Sequence, residues 1–271
     1  SIPLNHDEYR LSKSLIKNNI SAVLAEFGPT GATIANTCKF SNIPLIIHFH
    51  GADAYKYDLI EQYDYLSAFD IASKIICVSK DMWNRLLNLG ASKDKLEYIP
   101  YGVDVDTFIP SQSSKNKLHF DITFIGRFVE KKCPVHLIFL IKNIVSYNSK
   151  IKCLLIGDGP LLGVCKQLVK LFELENNITF TGNLAHDKII SHLQNSKIYV
   201  QHSMTATDGD SEGSPNSIIE AQSTGLPVVS TYHAGISEIV KHEKTGFLVE
   251  PNDIVMMEKY IVKLLGDKKL R

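Results

Sequence analysis

Along most of this chain short apolar runs alternate with segments whose apolar residues recur at three- and four-residue spacing. That pattern predicts strand–helix repeats and hence parallel sheets with helical crossovers. Before residue 100 it predicts a helix over 7–17, a strand at 22–24, a helix at 32–40 and a buried strand at 44–49. Next come a helix at 59–69, a strand at 74–78, a helix at 81–89 and a strand at 96–99. Residues 100–117 form the one polar, breaker-rich interruption. Beyond it the alternation restarts, with strands at 122–125, 153–156, 178–180, 197–200, 228–230 and 246–249. Helices fall at 134–147, 161–172, 187–193, 236–240 and 254–265, and another starts near Pro215. The division expected is a first domain over 1–108, a linker at 109–116 and a second domain over 117–271.

The stretch Asp208–Ala221 carries the most chemistry, because it joins a strand to a helix through glycine, serine and carboxylates. Ser214 is expected as N-cap and Pro215 as first helical residue, leaving backbone N–H groups free for an anion. Glu212 and Glu220 flank that turn and suit hydroxyl groups, although an ordinary capped helix with solvated acids has the same letters. After the strand at 122–125, Gly126-Arg127 precedes Lys131 and Lys132, a set able to clamp a diphosphate or to be a charged turn. Gly157-x-Gly159 resembles a dinucleotide fingerprint, but Leu162 occupies the third glycine position. That leaves a nicotinamide enzyme as a distant alternative. His48, His50 and Asp53 end an early strand. They could ligate a metal, but without further histidine or cysteine spacing no metal is expected.

Composition removes other classes. Lys+Arg and Asp+Glu both number 29, so no net field favours nucleic acid, and none is expected as a partner. The five cysteines are dispersed within apolar runs and read as reduced core residues, which predicts a cytoplasmic protein. No apolar run reaches membrane-span length. The chain begins at Ser1 and enters a helical pattern at once, so a fragment is expected.

Five segments in order carry a family resemblance: His50-Gly51-x-Asp53, Ile99-Pro100-Tyr101-Gly102-Val103-Asp104, Gly126-Arg127 with Lys132, Gly157-Asp158-Gly159-Pro160-Leu161, and Glu212-x7-Glu220. Together they resemble the family 4 retaining glycosyltransferases. The segment from Thr205 to Pro215 is also similar to the colanic-acid and amylovoran type of exopolysaccharide transferase. The resemblance implies an α/β GT-B fold, two Rossmann-like domains with parallel sheets facing a cleft, the first incomplete. It implies a UDP- or GDP-sugar donor without a separate cofactor, a saccharide or lipid-linked acceptor, and peripheral membrane contact through the missing part. A nucleotide-sugar-binding fragment impaired in catalysis is the alternative.

Residue roles follow from the same resemblance. Glu220 would bind the ribose; Glu212 with the Gly213–Ser214 backbone, ahead of Pro215, would hold the donor sugar. Arg127 and Lys132, beside Gly126, would neutralise the diphosphate. His50 would reach the sugar from the opposite domain, and Gly182-Asn183 would lie near the base. Three departures stand out. Cys133 replaces a common glycine, the usual N-terminal strand with its glycine-rich turn is absent, and the C-terminal helix is cut short.

Overall fold

The computed structural model describes residues 4–111 and 119–271. It separates into two compact units, one formed by residues up to Tyr101 together with Thr207–Ser214, the other by Gly102–Ala206 and Pro215–Arg271.

The first unit holds a parallel four-stranded sheet in the order β1 (Val23–Glu26), β2 (Leu45–His48), β3 (Lys74–Cys77), β4 (Leu96–Tyr98). α1 (His6–Lys17) precedes β1, and α2 (Gly28–Ser41) crosses over from β1 to β2. α1 starts in a capping box, with Asn5 accepting from the backbone of Asp7 and Glu8 while Glu8 reaches back. Leu45, Ile47, Phe49, Ile75, Met82 and Leu86 are buried in its core.

The short α3 (Ala52–Tyr55) follows β2, and the single helix expected over 59–69 is two, α4 (Tyr57–Gln62) and α5 (Tyr65–Ile71). The chain extends at Tyr63, and the Asp64 carboxylate then accepts from Ser67 N–H at 3.0 Å, capping a fresh helix. Next comes α6 (Lys80–Asn88), capped by Ser79 and closed by Gly90 at φ 99°.

In the second unit a parallel six-stranded sheet uses β5 (Phe120–Ile125), β6 (Cys153–Ile156), β7 (Ile178–Gly182), β8 (Ser196–Val200), β9 (Val228–Thr231) and β10 (Gly246–Val249). The order is β10-β9-β8-β5-β6-β7. β6, β9 and β10 are buried along their whole length, as strands covered by helices on both faces must be. The helices are α7 (Pro134–Tyr147), α8 (Leu162–Leu171), α9 (His186–Gln194), α10 (Asn216–Ser223), α11 (Ile236–Ile239) and α12 (Ile254–Gly266). Chain growth runs outward from β5 through β6 to β7, then returns to β5's other side with β8. In such sheets ligands bind beyond the carboxyl ends of the strands where the order reverses, here beyond β5 and β8.

The linker expected at 109–116 falls at 112–116 outside the described residues. Residues 102–109, expected mostly in the first domain, group with the second unit. Phe108 is buried there, its carbonyl accepts from Ser223 Oγ at 2.6 Å, and Ile109's accepts from Gln194 Nε2 at 2.9 Å. Among the described residues no helix is long and apolar enough to cross a membrane.

Candidate active site

The loops that leave β5, β6 and β7 are packed backbone to backbone. Gly126 N–H donates to Ile156 O at 3.0 Å, and Gly157 N–H donates to Gly182 O at 2.9 Å. Gly157 has φ 130°, and a Cβ there would lie 2.0 Å from Gly126 O. Gly159, at φ 154°, would place a Cβ 2.7 Å from Phe128 O. These glycines are therefore fixed by close strand-end packing, which the fingerprint comparison alone did not reveal.

Lys132 lies over the first of these loops, its Cδ and Cε 3.6 Å from where a Gly126 Cβ would be. Lys131 and Lys132 form a short 3₁₀ turn with Glu130 and are buried, whereas Arg127 is exposed. Cys133 then takes φ 45°, ψ 45°, a left-handed conformation that favours glycine. The thiol side chain bears this strain and still starts α7, with Pro134 in its first turn.

The helix expected to start at Pro215 begins one residue later. Pro215 is extended (φ −74°, ψ 109°) and occupies the N-cap position, and Ser214 makes no cap. Pro215 offers no side-chain acceptor, so the first-turn N–H groups of α10 carry no side-chain cap. Glu220 lies on α10, its side chain largely buried, with Oε1 3.4 Å from His186 Nε2 of α9. Asn183 follows β7 directly.

A buried polar network supports this edge, and the sequence reading did not single it out. Gln201, immediately after β8, is fully buried. Its Oε1 lies 3.0 Å from the Tyr199 hydroxyl and accepts from Ser217 Oγ of α10 at 3.2 Å, while its Nε2 donates to Ser203 Oγ at 3.0 Å. Ser230 Oγ and Thr231 Oγ1 of β9 donate to the carbonyls of Gln201 and Ser203 at 2.6 and 2.7 Å. The available signal was the abrupt run of polar residues, 201–203, at the end of an apolar strand. Network members that satisfy one another hold the strand ends and α10 in one arrangement.

His202 in this run is buried; its Nε2 accepts from Asn252 N–H at 3.0 Å, and its Nδ1 has no hydrogen-bond partner among the described residues. Its ring stacks on His136, centroids 5.2 Å apart. Burial, with His136 and His233 beside it, lowers its pKa to about 4. A folded-state pKa below the unfolded 6.5 means the unfolded chain binds the extra proton first, so this contribution is present above pH 6.5 and is lost as pH falls toward 4. Denaturant melts should show stability dropping between those values by up to about 3 kcal/mol from this group, and His202→Gln should flatten that part of the profile. An unchanged slope in the variant would contradict the assignment.

In the first unit β2 delivers His48, Phe49 and His50 to its carboxyl end. Asp53, read from sequence as a companion ligand of the histidines, does something else. Its buried carboxylate accepts from the backbone N–H of Gly28 (3.0 Å), His50 (3.0 Å) and Gly51 (2.9 Å), which fixes the loop. The carboxylate near the imidazoles is Glu26, at the end of β1. Its Oε2 lies 2.5 Å from His50 Nε2 and 3.2 Å from His48 Nδ1. Among the described residues, Glu26, His48 and His50 are the histidine, cysteine and acidic groups close enough to share a metal ion. His50 Nδ1 pairs with the Tyr101 hydroxyl. Burial, then Asp53 and Glu26, raises the Tyr101 pKa, so the phenol keeps its proton and donates. Burial and His50 lower the pKa of His48.

Of the remaining sequence-derived site residues, Glu212, Gly213 and Ser214 are grouped with this unit and buried. Gly213 packs on the His50 backbone, where a Cβ would sit 2.2 Å from His50 O. Thus the structure brings His50 and Gly213 together in one unit. It brings Gly126, Lys132, Gly157 and Gly182 together in the other, which also carries Arg127, Asn183, Pro215 and Glu220.

Comparison with known proteins places these loops in context. The family model described as glycosyl transferases group 1 matches residues 105–271, and that of Glycosyltransferase Family 4 matches residues 5–107. WcaL, a glycosyltransferase assigned to colanic acid biosynthesis in Escherichia coli (strain K12), is 29% identical over 235 residues, 85% of this chain and 58% of its own length. The amylovoran biosynthesis glycosyltransferase AmsK of Erwinia amylovora is 27% identical over 89% of this chain and 60% of its own. The chain therefore spans less than two thirds of these relatives. The structure of Anabaena Alr3699/HepE in complex with UDP matches with TM-score 0.79 at 20% identity, covering 96% of this chain and 74% of that one. The complex of the same protein with UDP-glucose matches at TM-score 0.77. The likeness shows the fold, which is GT-B.

Proposed function

Because the chain belongs to the group 1 glycosyltransferases, we propose that it serves retaining transfer of a hexose from a nucleotide diphosphate sugar to a saccharide or lipid-linked acceptor in exopolysaccharide synthesis. The observation that carries this reading is the convergence of the β5, β6 and β7 loops at the carboxyl edge of the second sheet, with Lys132 laid over Gly126. A backbone packed that closely, next to cationic side chains, is suited to a diphosphate.

Each residue then has a task. Arg127, Lys132 and the uncapped first turn of α10 stabilise negative charge on the departing diphosphate. The diphosphate oxygen takes the acceptor's proton on the same face of the sugar, as the acceptor oxygen bonds to the anomeric carbon and the phosphate oxygen leaves it. Positive charge supplied this way needs no divalent cation. Glu220 accepts from the ribose hydroxyls, and the Gly182-Asn183 turn borders the base. Glu212 and the Gly213–Ser214 backbone hold hydroxyls of the donor sugar, which His50 also contacts. The HepE complexes contain UDP and UDP-glucose, which supports a uridine donor among the candidates. The place of action in this reading is the cytoplasm, at the inner face of the membrane where the acceptor is lipid-linked.

Glu220→Ala tests the reading. The carboxylate is largely buried, and His186 is its one side-chain partner among the described residues. Losing hydrogen bonds to a charged group weakens binding by about 1.5–3 kcal/mol. Calorimetry should show UDP or GDP affinity falling at least about tenfold with an unchanged circular dichroism spectrum. Equal affinity for both nucleotides in variant and parent would remove Glu220 from the ribose.

A further inference from the structure

β1 ends at Glu26 and α2 begins at Gly28, leaving Phe27 alone to turn the chain. Phe27 does so at φ 75°, ψ 140°, with its N–H donating to His48 O at 2.9 Å. This conformation is rare for a residue with a bulky side chain. The ring nevertheless stays half exposed, at 51%, and leans on the His50 ring with centroids 4.6 Å apart. A single exposed aromatic is ordinary on a protein surface, whereas one held there on strained backbone is a mark of functional sites.

Glu26 supplies an independent observation. One of its oxygens accepts from His50 Nε2 and lies 3.2 Å from His48 Nδ1, while its side chain is 51% exposed and Oε1 has no hydrogen-bond partner among the described residues. An ionised carboxylate has roughly four acceptor positions, so this one is anchored with capacity to spare. His50 is anchored likewise, Nε2–H donating to Glu26 and Nδ1 accepting from Tyr101. A rigid acceptor beside a solvent-facing aromatic ring matches a molecule with hydroxyls on its rim and C–H groups on its face.

We propose that Glu26 and Phe27, at the turn between β1 and α2, form with His50 a sugar-binding subsite of the first unit: Glu26 Oε1 accepts from a sugar hydroxyl and the Phe27 ring packs on the pyranose face. Tyr101 and His48 act as positioning residues. The proposal rests on the reading of His50 as a sugar contact. A cation on the same cluster is less well matched. Ligand atoms around tetrahedral zinc, each about 2.0–2.1 Å from the ion, lie roughly 3.3 Å apart, whereas His50 Nε2 and Glu26 Oε2 are 2.5 Å apart, a hydrogen-bond separation.

The test uses the whole chain with Glu26→Gln and Phe27→Gly. Glycine relaxes φ 75°, so Phe27→Gly should melt no lower than the parent, and any loss of sugar binding in it is not a loss of fold. UDP, GDP and UDP-glucose are titrated by calorimetry, and free glucose, galactose and mannose are followed by saturation-transfer NMR. If the subsite takes the donor's sugar, both variants should bind UDP-glucose about tenfold more weakly than the parent while UDP affinity is kept. If it takes the acceptor's sugar, both should lose saturation transfer from a free monosaccharide that the parent binds. Sugar binding unchanged in both variants, in both assays, overturns the proposal. So does micromolar Co²⁺ binding with a tetrahedral visible band that Glu26→Gln abolishes, since the cluster would then be a cation site. Absence of UDP and GDP binding in the parent would count against the transferase reading alone, and the NMR arm would still decide the subsite.

Discussion

Arg127→Ala should reduce sugar transfer by about 10²–10³-fold, the loss typical of removing one preorganised group that stabilises charge developing in a transition state. Arg127 is exposed at the end of β5 and follows Gly126, whose N–H is tied to β6. Its guanidinium is therefore carried by a fixed backbone and has no hydrogen bond or ion pair among the described residues, so stability should change by less than about 0.5 kcal/mol. Lys132→Ala should be equally damaging to transfer but should also destabilise, because its stem is buried over Gly126. The pair separates chemistry from structure: thermal melts should distinguish the two variants where rates do not. Assays run in a chelator make the measurement sharper, since no divalent cation can then stand in for the lost guanidinium charge. Arg127→Ala with undiminished turnover would return this loop to the status of a charged turn.

The second large effect is structural. Gly157→Ala should destabilise the second unit severely, since the new methyl carbon would lie 2.0 Å from Gly126 O and 2.9 Å from Gly126 C, at a φ of 130°. Both obstacles are backbone, so no side chain can swing away. Strain at such a φ and overpacking each contribute about 1–3 kcal/mol, a large share of the roughly 5–15 kcal/mol that holds a domain folded. A fall in melting temperature of about 10 °C or more is expected. Gly163→Ala is the matched control, since nothing lies within 4 Å of its Cβ position in α8. That variant should melt at or above the parent temperature. A Gly157→Ala chain that melts with the parent would mean the β5 and β6 loops are not locked together.

How legible the molecule was depends on the kind of physics involved. Apolar runs such as Cys153–Ile156 and Gly246–Val249 were placed to the residue, because a strand buried on both faces admits few polar letters. The helix Pro134–Tyr147 was equally plain, proline marking its start. The 59–69 region misled because its apolar spacing continues through Tyr63, whereas a single carboxylate at Asp64 restarts the helix. Candidate residues at loop tips could be picked by type, but which neighbours they meet was invisible. Glu26 and His50 are 24 positions apart and become adjacent only because β1 and β2 pair in register, Glu26 opposite His48. Gln201 escaped notice for a similar reason, as two of its four partners, Ser217 on α10 and Ser230 on β9, are distant in the chain. Cys133 was legible in the opposite sense. The glycine it replaces is explained by a left-handed backbone angle that the sequence could only hint at.

The five cysteines, all buried and none in a disulfide, have a practical consequence. Burial raises the pKa of Cys38 and Cys153, and takes Cys165 to about 11, so these thiols are both shielded and poorly ionised at neutral pH. They belong to different bodies, Cys38 and Cys77 to the first unit and Cys133, Cys153 and Cys165 to the second. The protein thus carries its own pair of unfolding clocks. The rate at which an alkylating reagent marks either group of thiols is the rate at which that unit opens, read separately for each by peptide mass.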